Sequence, residues 1–471
     1  MKRYDVIIVG AGPAGIFAAY ELHVQNPNLK ILLVDKGQDI YHRNCPVLQH
    51  KIAKCPMDKN GNYGCKPACS ITNGFGGAGA YSDGKFNITS EFGGWMTDYL
   101  EPKLVEDLIC YVDEINLKYG APTTITDPTT DKVREIEKRG YGAGLKLLRA
   151  QVRHLGTENN LKIMEKIYDD LEKWIDMRHQ TEVSDVIIED GAVKGVAIND
   201  EIIECNEVFL AVGRDGSKWL QSICNSHNIS MTHNQVDVGV RVETNDVVME
   251  EINKNLYEGK FVFRTSVGTT VRTFCSNPSG HVVVENHSGT ILANGHAYAN
   301  PKLGSKNTNF ALLVSHKFSE PFDKPNEYAH EVSRLANQLS CGSVIVQRYG
   351  DICKGRRTTQ KRLDEGFVKP TLKEAVPGDL GLVLPYNTMK SIIEMIEALN
   401  HVTPGIANEH TLFYGVEAKF YSARPVTNDK FETKIKGLYV GGDGAGITRG
   451  LAQAGANGVW VARDIASKYT K

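Results

Sequence analysis

The residues of this chain that could do chemistry are of two kinds: glycines set against apolar strands, and a run of cysteines. Gly10, Gly12 and Gly15 stand as G-x-G-x-x-G directly after the apolar run 6–9. A helix through Ala18, Ala19 and Leu22 follows, then a second apolar run, 31–34, which ends at Asp35 and Lys36. Gly10 permits the tight turn, Gly12 lets a pyrophosphate touch backbone, and Gly15 lets helix and strand pack closely. The helix N-terminus, with Pro13 and Ala14 in its first turn, offers unpaired N–H groups and a partial positive charge to phosphates. Asp35 is placed to accept hydrogen bonds from a ribose diol. Strand, glycines, helix, strand and acid in this register predict a bound dinucleotide.

Cys45, Cys55, Cys65 and Cys69 are spaced C-x9-C-x9-C-x3-C within an irregular insertion, 38–70, with turn formers Asp58, Asn60, Gly61 and Asn62 among them. Four thiols in so short a stretch could hold zinc or an iron–sulfur cluster, pair as a redox disulfide, or stand unligated. The pairs of a zinc ribbon and the usual ferredoxin run are both missing, so the spacing leaves these alternatives open. Next comes GFGGAGAYSDGK, 74–85, too glycine-rich for a helix interior or a regular strand. Its Gly76, Gly77, Ala78 and Gly79 would let a ligand approach backbone, and Ser82 or Lys85 could donate to that ligand.

Further along, Arg272 and Cys275 suggest a thiol whose pKa a neighbouring cation lowers, acting as acid or nucleophile. Arg356 and Arg357 form a basic cluster suited to a carboxylate or phosphate, against the plainer alternative of ion pairs to Asp351 or Asp364. Glu417, Tyr421 and Arg424 could line a site, with Tyr421 as proton donor and Arg424 holding an anionic group. The alternative for these three is a strand of mixed burial.

The elements that position these residues follow from periodicity. Residues 95–119 carry apolar side chains at helical spacing, and 143–153 read as another helix. Two strands around Asp190-Gly191 form a hairpin that begins near Val183. A buried strand, 207–212, then runs into Gly213. With 471 residues, two domains are expected: 1–225 with 405–471, and an inserted β-rich domain at 226–404. A formal net charge of −2 gives no basic field for nucleic acid, and no apolar run is long enough to span a bilayer. Without a signal peptide pattern, the chain reads as cytoplasmic, and its 10 cysteines as thiols or ligands rather than a disulfide framework.

Three separated pieces carry a resemblance: the N-terminal fingerprint, FLAVGRDG at 209–216 and GLYVGGDGAG at 437–446. They are similar to the three dinucleotide-contacting signatures of FAD-dependent oxidoreductases of the glutathione-reductase-like fold. The patches DVGVRVE (237–243), VRTFCSNPSGHVV (271–283), QRYGDICKGRRTT (347–359) and YGVEAKFYSARPV (414–426), with 74–85, resemble a largely uncharacterised family of FAD-dependent dehydrogenases over almost the whole chain. Geranylgeranyl reductases are a more distant likeness. The resemblance implies an α/β, Rossmann-type FAD-binding domain with an inserted β-rich substrate domain. It implies that Gly442, Asp443, Gly446 and Ile447 shape a flavin-contacting loop, with a helix from Thr448 aimed at the flavin. The resemblance does not supply the reaction; the leading expectation is hydride transfer between flavin N5 and a small organic substrate with an anionic end. NAD(P)H or a ferredoxin-type protein would serve as electron donor, and the assembly would be a monomer or homodimer. A prenyl or lipid alkene reductase, a flavin monooxygenase and a flavin-binding redox sensor are the competing expectations.

Overall fold

Unbroken apolar runs belong in strands covered on both faces, and that is where residues 6–9 and 31–34 lie. The computed structural model describes the chain except residues 1, 2, 48, 50, 53, 54, 57–64, 67, 83, 200, 257, 258, 288, 299, 470 and 471. Asp58, Asn60, Gly61 and Asn62 therefore lie outside the described residues. The chain divides into two units: Met1–Thr126, Ala150–Thr232 and Ser422–Lys471 form one, and Asp127–Arg149 and His233–Tyr421 the other.

The first unit is built on a seven-stranded sheet. Arg3–Val9 lies at its centre, parallel to Ile31–Val34 on one side and to Glu201–Leu210 on the other. Beyond Ile31–Val34 comes Asp176–Arg178, and Leu438–Val440 pairs in parallel with the far half of Glu201–Leu210. The near half of that long strand turns antiparallel to Ala192–Ile198, which pairs in turn with Val183–Glu189. The hairpin turn between the last two carries positive φ at Asp190 and Gly191, as Asp-Gly favours. Val6, Ile7, Ile8, Leu32, Val208, Phe209 and Val440 are fully buried, consistent with helices covering a parallel sheet. The first helix, Pro13–Gln25, and the last, Leu451–Ser467, pack against each other: a Cβ on Gly458 would stand 2.0 Å from the Ala14 carbonyl oxygen.

Three sequence expectations shift. The helix expected at 95–119 begins only at Pro102, which occupies its first turn and cannot extend the ladder backwards; a short 3-10 turn, Met96–Asp98, precedes it. The helix expected at 143–153 is instead two strands, Leu145–Leu148 and Gln151–His154. Leu145 and Leu147 are buried and Lys146 exposed, a period of two that outranks helix propensity. The helix after the Asp443 loop begins at Leu451 rather than Thr448, behind Gly450 at φ +111.

The second unit holds an eight-stranded sheet. Its order is Val376–Pro377, Ile345–Arg348, Leu412–Lys419, Val236–Asn245, Asn307–His316, Thr270–Asn277, Lys260–Arg264 and Leu145–Leu148. The last pairing, Leu145–Leu148 with Lys260–Arg264, is why 127–149 belongs to this unit, which extends to Tyr421 where the sequence division stopped at 404. The central strand Val236–Asn245 alternates strictly. Val236, Val238, Val240 and Val242 enter an apolar core, while Asp237, Arg241 and Glu243 face the other way, also buried. Among the described residues, no helix is long and apolar enough to cross a membrane.

Candidate cofactor site

Backbone bonds at the ends of the first unit's strands gather its glycine turns into one place. Ala211 N–H donates to the Val9 carbonyl (2.8 Å), Gly441 N–H to that of Leu210 (3.0 Å) and Gly444 N–H to that of Val212 (3.0 Å). Gly10 turns at φ +108, and a Cβ on it would lie 2.6 Å from the Ala211 carbonyl oxygen. A Cβ on Gly15 would lie 1.8 Å from the Gly10 oxygen, and one on Gly444 within 2.5 Å of two carbonyl oxygens. These glycines are required by close packing. Gly12 and Gly213 differ: a Cβ on either would meet nothing within 4 Å. They border open space.

The glycine-rich stretch at 74–85 joins them. Gly76 N–H donates to the Ala11 carbonyl (2.8 Å), and a Cβ on Gly77 would stand 3.1 Å from Gly12 Cα. Gly79 lies against Leu451, the first residue of the last helix. Gly77–Tyr81 is a 3-10 turn, Ala78 is exposed within it, and Asn160, almost fully buried, braces it by donating from Nδ2 to the Gly79 carbonyl (2.7 Å). The Ser82 hydroxyl donates to the same carbonyl (2.7 Å), so its one proton is engaged within the loop. Lys85 opens the strand Lys85–Ile88, opposite His154.

Asp35 is more a clamp than the sequence suggested. Its Oδ2 accepts from Ala11 N–H (2.8 Å), and its Oδ1 from Gly37 N–H (2.7 Å) and Gly74 N–H (3.0 Å). With about four lone-pair positions on a carboxylate, roughly one is left for a ligand. Lys36 is ion-paired with Asp215, just past Gly213. Val183 is buried, and its neighbour Thr181 donates N–H to the Asp35 carbonyl (3.0 Å).

Asp443 sits on the opposite rim. Its Oδ1 accepts from the Thr448 hydroxyl (2.8 Å) and Gly450 N–H (3.3 Å), while Oδ2 has no partner among the described residues. Burial pushes this carboxyl's pKa up, opposed by Arg214, by the Thr448 hydrogen bond and by Arg449. Sequence reasoning missed the segment that seats the loop. Trp95 N–H donates to the Ile447 carbonyl (2.8 Å) and Arg449 N–H to that of Gly93 (2.8 Å), with Gly94 bridged to Thr448. It also missed Gln453 and Asn457, one turn apart on the last helix and almost fully buried. Asn457 Oδ1 accepts from Gly442 N–H (3.0 Å), and Gln453 Nε2 donates to the Phe92 carbonyl (3.2 Å). Two polar residues in the otherwise apolar first half of that helix are the available signal.

The arrangement fits a dinucleotide. The first helix starts at Gly12 with no side-chain cap, leaving its N–H groups for an anion. Bare backbone at Gly12 and Gly213 admits phosphates, and Asp443 Oδ2 can accept from a hydroxyl.

The other candidates are scattered. In the first unit, Arg424 pairs with Asp98 (2.8 Å) and lies over the rings of Trp95 and Tyr99. In the second unit, Arg356 pairs with Asp351 (2.7 Å), the plainer of the two alternatives. Exposed Arg357 and half-buried Arg272 have no side-chain partner among the described residues. Cys275 is exposed at φ +34 and lines a small pocket with Met249, Phe261, Thr273, Phe310 and Leu399. Its carbonyl accepts from Arg241 (3.1 Å), whose guanidinium is wholly buried against Glu417 (3.3 Å) and Asn309 (2.9 Å). Tyr421 donates its hydroxyl proton to Asp237. A phenol surrendering that proton would become an anion against a carboxylate. Cys45, Cys65 and Cys69 are half-buried and Cys55 exposed; all ten cysteines are free, and among the described residues no three side chains are placed to hold a metal.

Comparison with known proteins adds the following. An uncharacterized protein of Clostridium beijerinckii is 26% identical, over 98% of this chain and 81% of its own length. The tRNA uridine 5-carboxymethylaminomethyl modification enzyme MnmG of Ureaplasma parvum serovar 3 is 23% identical over 100% of this chain, and the chain spans 64% of that enzyme. Among solved structures, L-proline dehydrogenase from P. horikoshii aligns at a TM-score of 0.38 and 12% identity, covering 100% of this chain and 95% of that one. Quinol fumarate reductase FrdA of E. coli aligns at 0.41 and 13%, covering 100% and 72%. Residues 235–420 match the family described as FAD-dependent protein, C-terminal domain-like.

Proposed function

We propose that the chain is an FAD-dependent oxidoreductase acting on a small organic substrate. One observation carries this reading: glycine turns from four distant parts of the sequence meet, and the two whose Cβ positions are open, Gly12 and Gly213, face space rather than protein. The family match over 235–420 supports it independently. Bound in this cradle, FAD would supply two-electron hydride chemistry. The chain's own contribution is placement. N–H groups at the start of the first helix would receive the phosphates, and Asp443 Oδ2 would accept a hydrogen bond from a hydroxyl of the cofactor. Gly76, Gly77 and Gly79 pack against Ala80, Gly12 and Leu451, which brings this loop's backbone to the edge of the cradle, where it would contact the cofactor. For an anionic substrate end, Arg272 and Arg357 are the better candidates among the arginines, because Arg356 and Arg424 are already neutralised by Asp351 and Asp98. Lys85, Cys275 and Tyr421 are the proposed proton-handling groups. NAD(P)H or a small electron-transfer protein would deliver the electrons.

The test is direct. Protein purified without added flavin is denatured, and the released cofactor is identified by chromatography. FAD close to one per chain is expected, bleached by anaerobic reduction and restored by an acceptor. A colourless protein that takes up no FAD on titration overturns the reading.

A further inference from the structure

We propose that one face of the second unit binds single-stranded nucleic acid, with Phe367 and Tyr298 as stacking platforms among its cations. The inference goes beyond the FAD reading and does not depend on it. The formal net charge of −2 averages over an uneven distribution, so it is no guide to any one surface. Residues 286–319 contain no acid at all and carry Lys302, Lys306 and Lys317. Residues 341–363 carry Arg348, Lys354, Arg356, Arg357, Lys361 and Arg362 against a single acid, Asp351. Asp351 is buried, whereas Lys354, Arg356, Arg357 and Lys361 are exposed.

The fold sets Lys302 and Lys306 beside that second run. Asn307 Nδ2 donates to the Lys369 carbonyl (3.0 Å), and Val282 N–H to the Thr371 hydroxyl (2.9 Å). These bonds seat Lys306, and the foot of the hairpin made by His281–His287 and Thr290–His296, against the loop 366–371. At the head of that loop a Cβ on Gly366 would stand 3.5 Å from His410 Nδ1, to which Arg348 Nη2 donates (3.0 Å). Arg362 Nη1 in turn donates to the Arg357 carbonyl (2.8 Å). Part of the charge is neutralised: Glu409 takes Arg348 and Lys354, Glu365 takes Lys361, and Asp351 takes Arg356 and Arg362. Arg357, Lys302, Lys306 and Lys369 pair with no carboxylate among the described residues, and all four are exposed.

Two exposed aromatic rings stand among these cations. Val368 and Leu372 enter a small core with Val282 and Ala293, which turns Phe367 outwards, 79% exposed. Its ring rests on that of His410, with centroids 4.2 Å apart. Tyr298, 48% exposed, meets the rings of His281 and His296 edge-on, at 5.5 and 4.7 Å. His281 Nε2 is bonded to the Leu303 carbonyl (2.9 Å), next to Lys302. Rings already held in place lose little freedom when a base stacks on them. Phe367 and Thr371 are four residues apart, at most about 14 Å, so both rings lie within reach of one short strand. A duplex hides the faces of its bases and a free nucleotide offers one; a single strand offers a run of them.

The full chain is titrated against a fluorescently labelled single-stranded oligonucleotide, as RNA and as DNA, and binding is followed by anisotropy over a range of salt. Duplex DNA of the same length is the comparison. Binding of either single strand, weakening as salt rises, is expected. Phe367→Ala and Tyr298→Ala should each weaken it by roughly 5- to 150-fold, as loss of one stacked base does, with the salt slope unchanged. Lys302→Gln and Lys369→Gln should instead each flatten the slope of log Kd against log salt by about 0.7. All four side chains are exposed, so melting of the variants should match wild type. A Kd weaker than about 100 µM at physiological salt for both single strands overturns the proposal. So does wild-type affinity in both aromatic variants, or a duplex bound as tightly as a single strand, since either leaves only a basic surface. Flavin content, measured separately, should be unchanged in all four variants, so this reading and the FAD reading can each fail alone.

Discussion

Gly12→Ala separates a ligand surface from a packing surface. Gly12 has φ −80, an extended conformation open to alanine, and the added Cβ meets no protein atom within 4 Å. The fold should barely register the change. Alanine at a helix N-cap in place of glycine costs about 0.5 kcal/mol, or roughly 1–2 °C in melting temperature for a unit this size. A phosphate resting on Gly12 would notice more. The new methyl projects about 1.5 Å from Cα, so the phosphate must retreat by a comparable distance. Losing two charge-assisted bonds to helix N–H groups, at about 1.5–3 kcal/mol each, weakens binding by about 3–6 kcal/mol, or roughly 10²–10⁴-fold in Kd. Apoprotein is titrated with FAD and binding is followed by flavin fluorescence, with melting of the apoprotein measured alongside. An apoprotein that melts like wild type and binds FAD at least about 100-fold more weakly is expected. If Gly12→Ala binds as tightly as wild type, the open space beside Gly12 is not the phosphate site and the cradle has been misread.

Three further outcomes follow from the same geometry. Gly458→Ala should destabilise by about 2 kcal/mol or more, because its Cβ would lie 2.0 Å from a backbone oxygen of the first helix; chemical denaturation checks this. Glu417→Gln leaves Arg241, wholly buried, and Lys419 without their carboxylate and should cost about 3–5 kcal/mol; a loss below about 1 kcal/mol in urea melts would refute that account. Burial holds His179 below the usual histidine range, and neither ring nitrogen has a partner among the described residues. The unfolded chain then takes up this proton at a higher pH than the folded one, so stability is complete above about pH 6.5 and falls below it. His179→Phe, packing on Phe75 and Tyr168 as the imidazole does, should match wild type at pH 7.5 and lose less stability by pH 5.

What could be read in the sequence was whatever a single residue type reveals about its own backbone. Gly10, Gly213 and Gly442 sit where tight turns leave strand ends, and no other residue reports such turns so clearly. The hairpin at Asp190-Gly191 was visible for the same reason. What stayed hidden depends on chain segments meeting across long separations. Nothing local says that Asp35 binds the backbone at Gly74, that Arg43 returns to Ser70, or that Gly94 pairs beside Thr448. Leu145–Leu148 reads as helix in sequence because four residues carry too little pattern to show a partner at Lys260–Arg264. For Arg356 the sequence leaves an anion site and an ion pair to Asp351 both open, because only the folded turn between them decides which forms.

The contact between the first and last helices also governs how the protein is made. Arg463 Nε donates to Glu21, fully buried on the first helix (2.7 Å), and Gly458 lies on the backbone of Ala14. At roughly 5–20 residues per second, a ribosome delivers Leu451–Ser467 roughly 20–90 s after Pro13–Gln25. Throughout that interval the Ala14 face of the first helix lacks the helix that packs on it, so this contact closes only after the whole of His233–Tyr421 has been made.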